Sequence, residues 1–294
     1  MSEKNTETIN PTVGQLAGRH RATLVATACL MVAGFWPTLR ILGRYWWEDP
    51  DFSHGFLVPV ISFILAYSAR DKLSALPGTR STAGLACLVG SLAIYTFGHV
   101  AVYNVAERIG MWGIFVGALW FLFGGPLAYA VRFPLFFALF SFPPPRFILN
   151  RVRLELKEFA TRVSSDLLAT TGYDANPEGN VLVVGEHILE VADACSGVRS
   201  LTAIFATSIL FAHLFQTGVL KGSLLVLTSI PVTILVNVLR IIIVAASLVS
   251  FNLDLTSGFL HDLVGYAVFG LSLGFLYVSW RFYDWLLRWE SWKS

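Results

Sequence analysis

Along the 294 residues, hydrophobic positions gather into long runs separated by short clusters of charge, Pro and Gly. A bilayer core about 30 Å thick is crossed by roughly 20 apolar residues in a helix, so runs of that length are read as membrane spans. About eight are present: Ala22 to Ile41, Phe56 to Ala69, Thr82 to Tyr103, Ile109 to Gly124, Pro126 to Phe142, Leu201 to Phe215, Leu224 to Val249 and Phe259 to Trp280. The pattern predicts an all-α polytopic membrane protein. A polar tail, residues 1–18, precedes a first run longer than the apolar core of about 7–15 residues in a cleavable leader. That run is therefore expected to anchor the chain, with residues 19–294 forming one transmembrane domain.

The stretch 143–198 has a different period. After Pro143, Pro144 and Pro145, apolar residues recur at Ile148, Val152, Leu156, Phe159, Val163 and Leu167, a helical spacing. Arg146, Arg151, Arg153, Lys157 and Arg162 share that stretch. The pattern fits either an amphipathic helix lying in a membrane surface or an ordinary helix packed on the bundle. Val181 to Val184, a Gly185-Glu186 turn and Ile188 to Ala192 then predict a short β-hairpin just before the sixth span.

Composition agrees with a bilayer setting. The chain is 55% hydrophobic and 14% charged, where soluble domains carry about 25% charge. Its mean hydropathy is +0.65. Lys and Arg number 21 against 19 Asp and Glu, a net charge of +2 that gives no field for a nucleic acid. The three cysteines are widely separated, which excludes a disulfide scaffold. Arg19, Arg21, Arg70, Lys72, Arg80, Lys221, Arg281, Arg288 and Lys293 all fall on one side of an eight-span topology. Basic loops face the cytoplasm, so both termini are expected there and the 143–198 stretch outside. Arg40, Arg44 and Arg132 run against this bias.

Candidate chemistry concentrates late in the chain. Cys195, within Asp193-Ala194-Cys195-Ser196-Gly197-Val198-Arg199, precedes the sixth span. A helix N-terminus and a nearby Arg199 favour a thiolate, while Asp193 opposes it. Arg240 lies inside a continuous apolar run with Asn237 three residues earlier on the same face. An ionised side chain there costs at least about 2.5–3.5 kcal/mol, so it is expected to face protein or water and to be used. His261, next to Asp262 at the start of the last span, supplies a proton carrier. A nucleophile, a fixed cation and a proton carrier are the parts that acyl transfer needs. The first outer loop holds Trp46-Trp47-Glu48-Asp49-Pro50-Asp51-Phe52-Ser53-His54-Gly55. Its lone His and carboxylates do not form an established ligand spacing, so neither metal nor cofactor is expected.

These residues together resemble the exosortase/archaeosortase family of membrane cysteine transpeptidases. The likeness rests on Asp51-Phe52-Ser53-His54-Gly55 running into Leu57-Val58-Pro59, on Ala194-Cys195-Ser196-Gly197-Val198-Arg199, on Asn237-Val238-Leu239-Arg240, and on His261 followed by Gly265. The first segment has Phe52 where the family form has Tyr, and position 261 is the exosortase His rather than the archaeosortase Arg. The resemblance implies Cys195, Arg240 and His261 as catalytic residues, with Arg199, Ser196, Asn237, Asp51, Ser53 and His54 binding substrate or supporting the site. It also implies a bacterial inner-membrane enzyme whose site faces outward. Its substrates would be exported proteins with a C-terminal sorting signal: a Pro-Glu-Pro (PEP-CTERM) type motif, one membrane helix and a basic tail. Cleavage through a Cys195 thioester would then allow transfer to a cell-surface acceptor in an exopolysaccharide-exporting cell.

Other classes make different demands. A transporter or channel also uses intramembrane Arg, Asn and His, but inverted repeats are not found in the sequence. A thiol oxidoreductase needs two neighbouring cysteines, whereas Cys29 and Cys87 sit apart in apolar runs. The Gly-Xaa-Ser-Xaa-Gly turn of a serine hydrolase does not occur.

Overall fold

A computed structural model describes residues 11–190, 197–256 and 258–291, with side chains to 287. It is all-α apart from one small sheet, and it divides into two compact units at Pro144 and Pro145.

The first unit contains α1 (Val13–Arg19), α2 (Arg21–Gly34), α3 (Trp36–Glu48), a 3-10 turn (Pro50–Phe56), α4 (Leu57–Ser68), α5 (Arg70–Ser74), α6 (Thr82–Val100), α7 (Asn104–Phe123), α8 (Gly125–Ala130), α9 (Arg132–Ala138) and a second 3-10 turn (Leu139–Ser141). Small residues let α6 and α7 pack almost backbone to backbone. A Cβ added at Gly98, Gly110 or Gly117 would come within 2.6 Å of the facing backbone, and one at Gly113 within 2.3 Å of Ser91 Oγ. Lipid tails are as apolar as the helices they surround, so close van der Waals packing of this kind holds membrane helices together.

The second unit contains α10 (Arg146–Thr170), strands β1 (Ala175–Glu178), β2 (Val181–Val184) and β3 (His187–Glu190), then α11 (Val198–Leu214), α12 (Gly218–Phe251) and α13 (Gly258–Ser291). The sheet is antiparallel in the order β1-β2-β3, with Ala175 opposite Val184 and Val184 opposite His187. Leu182, Val184 and Leu189 join Ala160 and Leu168 of α10 and Val238, Ile241, Val244 and Ala245 of α12 in one buried core. The sheet thus lies against α10 and the second half of α12. Ile204, Leu225 and Leu276 form a further core joining α11, α12 and α13.

The structure revises several sequence expectations. Among the described residues, five helical segments can cross a membrane by length and composition: Pro50–Ser68, Thr82–Val100, Asn104–Phe123, Gly218–Phe251 and Gly258–Leu287. The first predicted run is a helix pair bent by 67° at Phe35, and counts as a sixth span if taken as one. Pro37 in the first turn of α3 has no N–H to continue the α2 ladder, which accounts for the break. The run from Pro126 to Phe142 is split into α8, α9 and a 3-10 turn, with Pro134 near the start of α9. The sixth run is the 17-residue α11, about 26 Å long at 1.5 Å per residue. Eight full-length spans are therefore not found among the described residues.

The predicted hairpin gains a third strand. β1 reads Ala175-Asn176-Pro177-Glu178 and is largely exposed. It lacks the apolar alternation that marks a strand, and Pro177 is tolerated because β1 is an edge. The predicted amphipathic helix is α10, but its buried face is mixed rather than the expected apolar stripe. Lys157, Thr161, Ser164 and Ser165 are buried together with Leu149, Ala160 and Leu168, while Ile148, Phe159 and Leu167 are exposed. The Ser164 hydroxyl donates to the Val238 carbonyl of α12, and that of Ser165 to the Ala175 carbonyl of β1.

Candidate active site

The site is built around α12, a 34-residue helix whose apolar sequence carries two strongly polar buried residues one turn apart, Asn237 and Arg240. Arg240 is 6% exposed, and its Nη2 lies 2.8 Å from His261 Nε2 on α13. A guanidinium has no acceptor, so it donates and the imidazole nitrogen presents its lone pair. The ring proton then belongs on Nδ1, which faces Asp262 Oδ1 at 3.3 Å. His261 is thus held between a fixed cation on one nitrogen and a carboxylate on the other.

Gly265, one turn beyond His261 on α13, completes this contact. A Cβ there would lie 3.8 Å from Arg240 Nη2. A methyl group would just touch the guanidinium, and a longer side chain turned toward it would compete for its place.

One turn earlier on α12, Asn237 packs against the start of α11. Gly197 caps that helix in the left-handed region at φ +76°. An added Cβ would stand 3.2 Å from Asn237 Nδ2 and 3.3 Å from its Cγ. The Gly197 turn therefore needs glycine twice, for its backbone angle and for the closeness of Asn237. α12 accordingly meets the Gly197 turn through Asn237 and the last helix through Arg240. Cys195 and Ser196 lie outside the described residues. Arg199 occupies the first turn of α11, half-buried, two residues past Gly197.

The other predicted positions, Asp51, Ser53 and His54, belong to the first unit and occupy its Pro50–Phe56 turn. Asp51 is buried and its N–H donates to Asp49 Oδ1, which starts the turn. Ser53 is exposed, its hydroxyl donating to the Pro50 carbonyl. His54 is half-buried, and its Nδ1 has no hydrogen-bond partner. A Cβ at Gly55 would sit 2.2 Å from the Trp46 indole, whose Nε1 donates to the Ser141 carbonyl. The glycine of the Asp-Phe-Ser-His-Gly segment is thus where Trp46 is laid across the turn. Cys29 on α2 and Cys87 on α6 are free thiols.

Two polar clusters escape the sequence reading. In the first unit, buried Glu107 accepts from the Thr38 hydroxyl at 2.6 Å and meets His99 Nδ1 at 3.3 Å. Buried Arg108 stacks over the Tyr45 ring. The predicted fourth span begins at Ile109, which leaves both residues in a loop, whereas α7 starts five residues earlier. In the second unit, Lys221 reads as a loop charge but lies inside α12. It pairs with Asp284 of α13 at 2.6 Å and lies over the Trp280 ring. In both cases a charge at the edge of an apolar run was the available signal, and its partner lies far away in sequence.

The family model described as transmembrane exosortase (EpsH type) matches residues 46–278. No curated protein and no solved structure matches the chain.

Proposed function

We propose, from the premise that the chain belongs to the transmembrane exosortase family, that it cleaves exported proteins at a C-terminal sorting signal through a Cys195 thioester. Membership brings a membrane-bound transpeptidase or protease type of role. The finer assignment rests mainly on the 2.8 Å contact between Arg240 and His261. Asn237 of the same α12 face, packed on the turn that follows Cys195, supports it.

In this reading His261 Nε2 takes the thiol proton, and Cys195 Sγ attacks the peptide carbonyl. Once Nε2 is protonated it can no longer accept from Arg240, so the guanidinium donor is released toward the oxyanion. Collapse of the tetrahedral adduct breaks the C–N bond. His261 returns its proton to the leaving amine, and the C-terminal membrane helix departs. An acceptor amine or water then attacks the thioester and regenerates the thiol. Asp262 keeps the ring proton on Nδ1 through this cycle, as the third member of a nucleophile–base–carboxylate series. The substrates are membrane-anchored proteins with a Pro-Glu-Pro (PEP-CTERM) type signal, and the acceptor is a cell-surface amine. Both termini face the cytoplasm, and the Cys195 turn faces outward.

The test is processing of a membrane-anchored reporter bearing such a signal. Cys195→Ala and Cys195→Ser should insert normally and leave it uncleaved. In the wild type, mass spectrometry should find the reporter fragment as a thioester on Cys195. Wild-type processing by either variant removes the nucleophile assignment.

A further inference from the structure

Short helices close one end of the first unit. Val13 of α1, Phe123 at the end of α7, Leu127 of α8 and Val131 form a buried apolar core, with Leu16, Leu73 and Leu135 packed against it. Backbone bonds pin the connecting chain to the same place: the Val13 N–H donates to the Leu76 carbonyl at 2.8 Å, and the Ser81 N–H to the Phe121 carbonyl at 3.3 Å. Charge surrounds this core. Arg19 ends α1, Arg21 starts α2, Arg70 and Lys72 lie in α5, Arg80 lies in the chain beside Phe121, and Arg132 starts α9. All six are exposed. Among the described residues the one carboxylate at this end is Asp71, 3.8 Å from Arg70 Nε. Arg132, which runs against the charge bias of the sequence, thus stands with the other cations.

Two of these cations are held in the same way. Arg70 Cζ stands 4.6 Å over the Tyr67 ring, and Arg132 Cζ 3.8 Å over the Tyr129 ring. Each arginine lies three residues past its tyrosine and donates through Nη1 to that tyrosine's carbonyl, at 3.5 and 3.0 Å. Stacking and hydrogen bond together fix the guanidinium plane at a helix end, and the remaining donors of the fork are turned to what lies outside the chain. Both rings are more than half exposed, 56% for Tyr67 and 67% for Tyr129. Exposed tyrosines beside arginines belong at the headgroup level of a bilayer, where the ring meets the acyl chains and the charge meets water.

We propose that this end is a binding surface for anionic phospholipid, and that Arg70 and Arg132 each hold a headgroup phosphate. A phosphate takes the paired donors of a guanidinium, and six cations against one carboxylate complement the negative charge of an anionic leaflet. The helices α1, α5 and α8 lie at that surface, since none has the roughly 20 residues that cross a bilayer. The surface uses none of the residues of the proposed chemistry.

The test uses the full chain purified in a non-ionic detergent. Dioleoyl phosphatidylglycerol and dioleoyl phosphatidylcholine share acyl chains and differ in headgroup charge, so each is titrated and the bound lipid counted by native mass spectrometry. Wild type should bind phosphatidylglycerol at least about fivefold tighter, and about 0.5 M NaCl should remove most of that preference. Arg70→Gln with Arg132→Gln should weaken phosphatidylglycerol binding about tenfold or more and leave phosphatidylcholine binding unchanged. Arg151→Gln with Arg162→Gln removes the same charge from exposed positions of α10 and should leave both affinities within twofold of wild type. Glycerol 3-phosphate in excess, a soluble copy of the headgroup phosphate, should not displace the lipid. Displacement would mark a free-anion site and overturn the lipid assignment. Equal binding of the two lipids by wild type overturns it without any variant, as does phosphatidylglycerol binding within twofold of wild type in the Arg70 and Arg132 variant. An equal loss in the α10 variant would assign the effect to net charge and likewise overturn it.

Discussion

Replacing Gly197 by alanine tests how the Cys195 turn is held. The backbone there is left-handed at φ +76°, which costs an L-residue roughly 1–2 kcal/mol. The new methyl would also stand 3.2–3.3 Å from the Asn237 amide, inside the usual 3.5–4.0 Å optimum. Asn237 is 4% exposed and cannot simply swing into solvent, so crowding adds about 1 kcal/mol, the low end for an overpacked site. A total near 2–3 kcal/mol falls on the Gly197 turn, two residues past the nucleophile of the proposed reading. If half of it appears as loss of transition-state alignment, kcat falls about tenfold, since 1.36 kcal/mol is one decade. Reporter cleavage under single-turnover conditions measures this. Gly185→Ala is the control, because Gly185 has φ +58° and open space around it. It should show the strain in thermal unfolding and leave kcat unchanged. Adding Asn237→Ala to Gly197→Ala should recover the stability lost to crowding and leave that lost to strain. A Gly197→Ala enzyme with kcat within twofold of wild type refutes the argument that Asn237 fixes this turn.

Three further outcomes are expected. Arg240→Lys keeps the charge but loses the planar donor fork, so it should lower kcat by at least about tenfold, the scale of one transition-state donor; full activity would argue against a guanidinium role. Gly265→Leu should disrupt the Arg240–His261 contact, because the added chain starts 3.8 Å from Nη2, and the loss should appear in kcat with little change in thermal stability. Lys221→Met removes the 2.6 Å ion pair to the partly buried Asp284 and should lower stability by about 1–3 kcal/mol. Lys221→Met with Asp284→Leu should return most of it, measured by thermal unfolding in detergent.

The parts of the molecule legible in the sequence are those governed by local pattern. α12 and α13 follow from uninterrupted apolar runs, and Arg240 stands out because a charge in such a run needs a reason. The position of Gly197 before α11 follows from a short polar segment ahead of an apolar one. What stayed hidden depends on distant partners. β1 exists because β2 offers it backbone hydrogen bonds, and nothing in Ala175-Asn176-Pro177-Glu178 announces a strand. Glu107 and Lys221 look like loop charges until Thr38, 69 residues before Glu107, and Asp284, 63 residues after Lys221, are brought to them. The mixed inward face of α10 is a similar case. Apolar spacing alone does not show that Ser164 and Ser165 turn inward beside Ala160 and Leu168, where their hydroxyls meet α12 and β1.

Polar contacts join α12 and α13 toward both ends of the stretch they share, Lys221 with Asp284 and Thr228 with Tyr283 toward one end and Arg240 with His261 toward the other. Nineteen residues separate Lys221 from Arg240, about 28 Å along the axis. That span is a lever arm. A swing of about 5° about the lysine end displaces the arginine end by about 2.5 Å, enough to part guanidinium from imidazole. Damage to the ion pair would therefore be felt along the rod as misalignment of the Arg240–His261 contact on which the proposed chemistry depends.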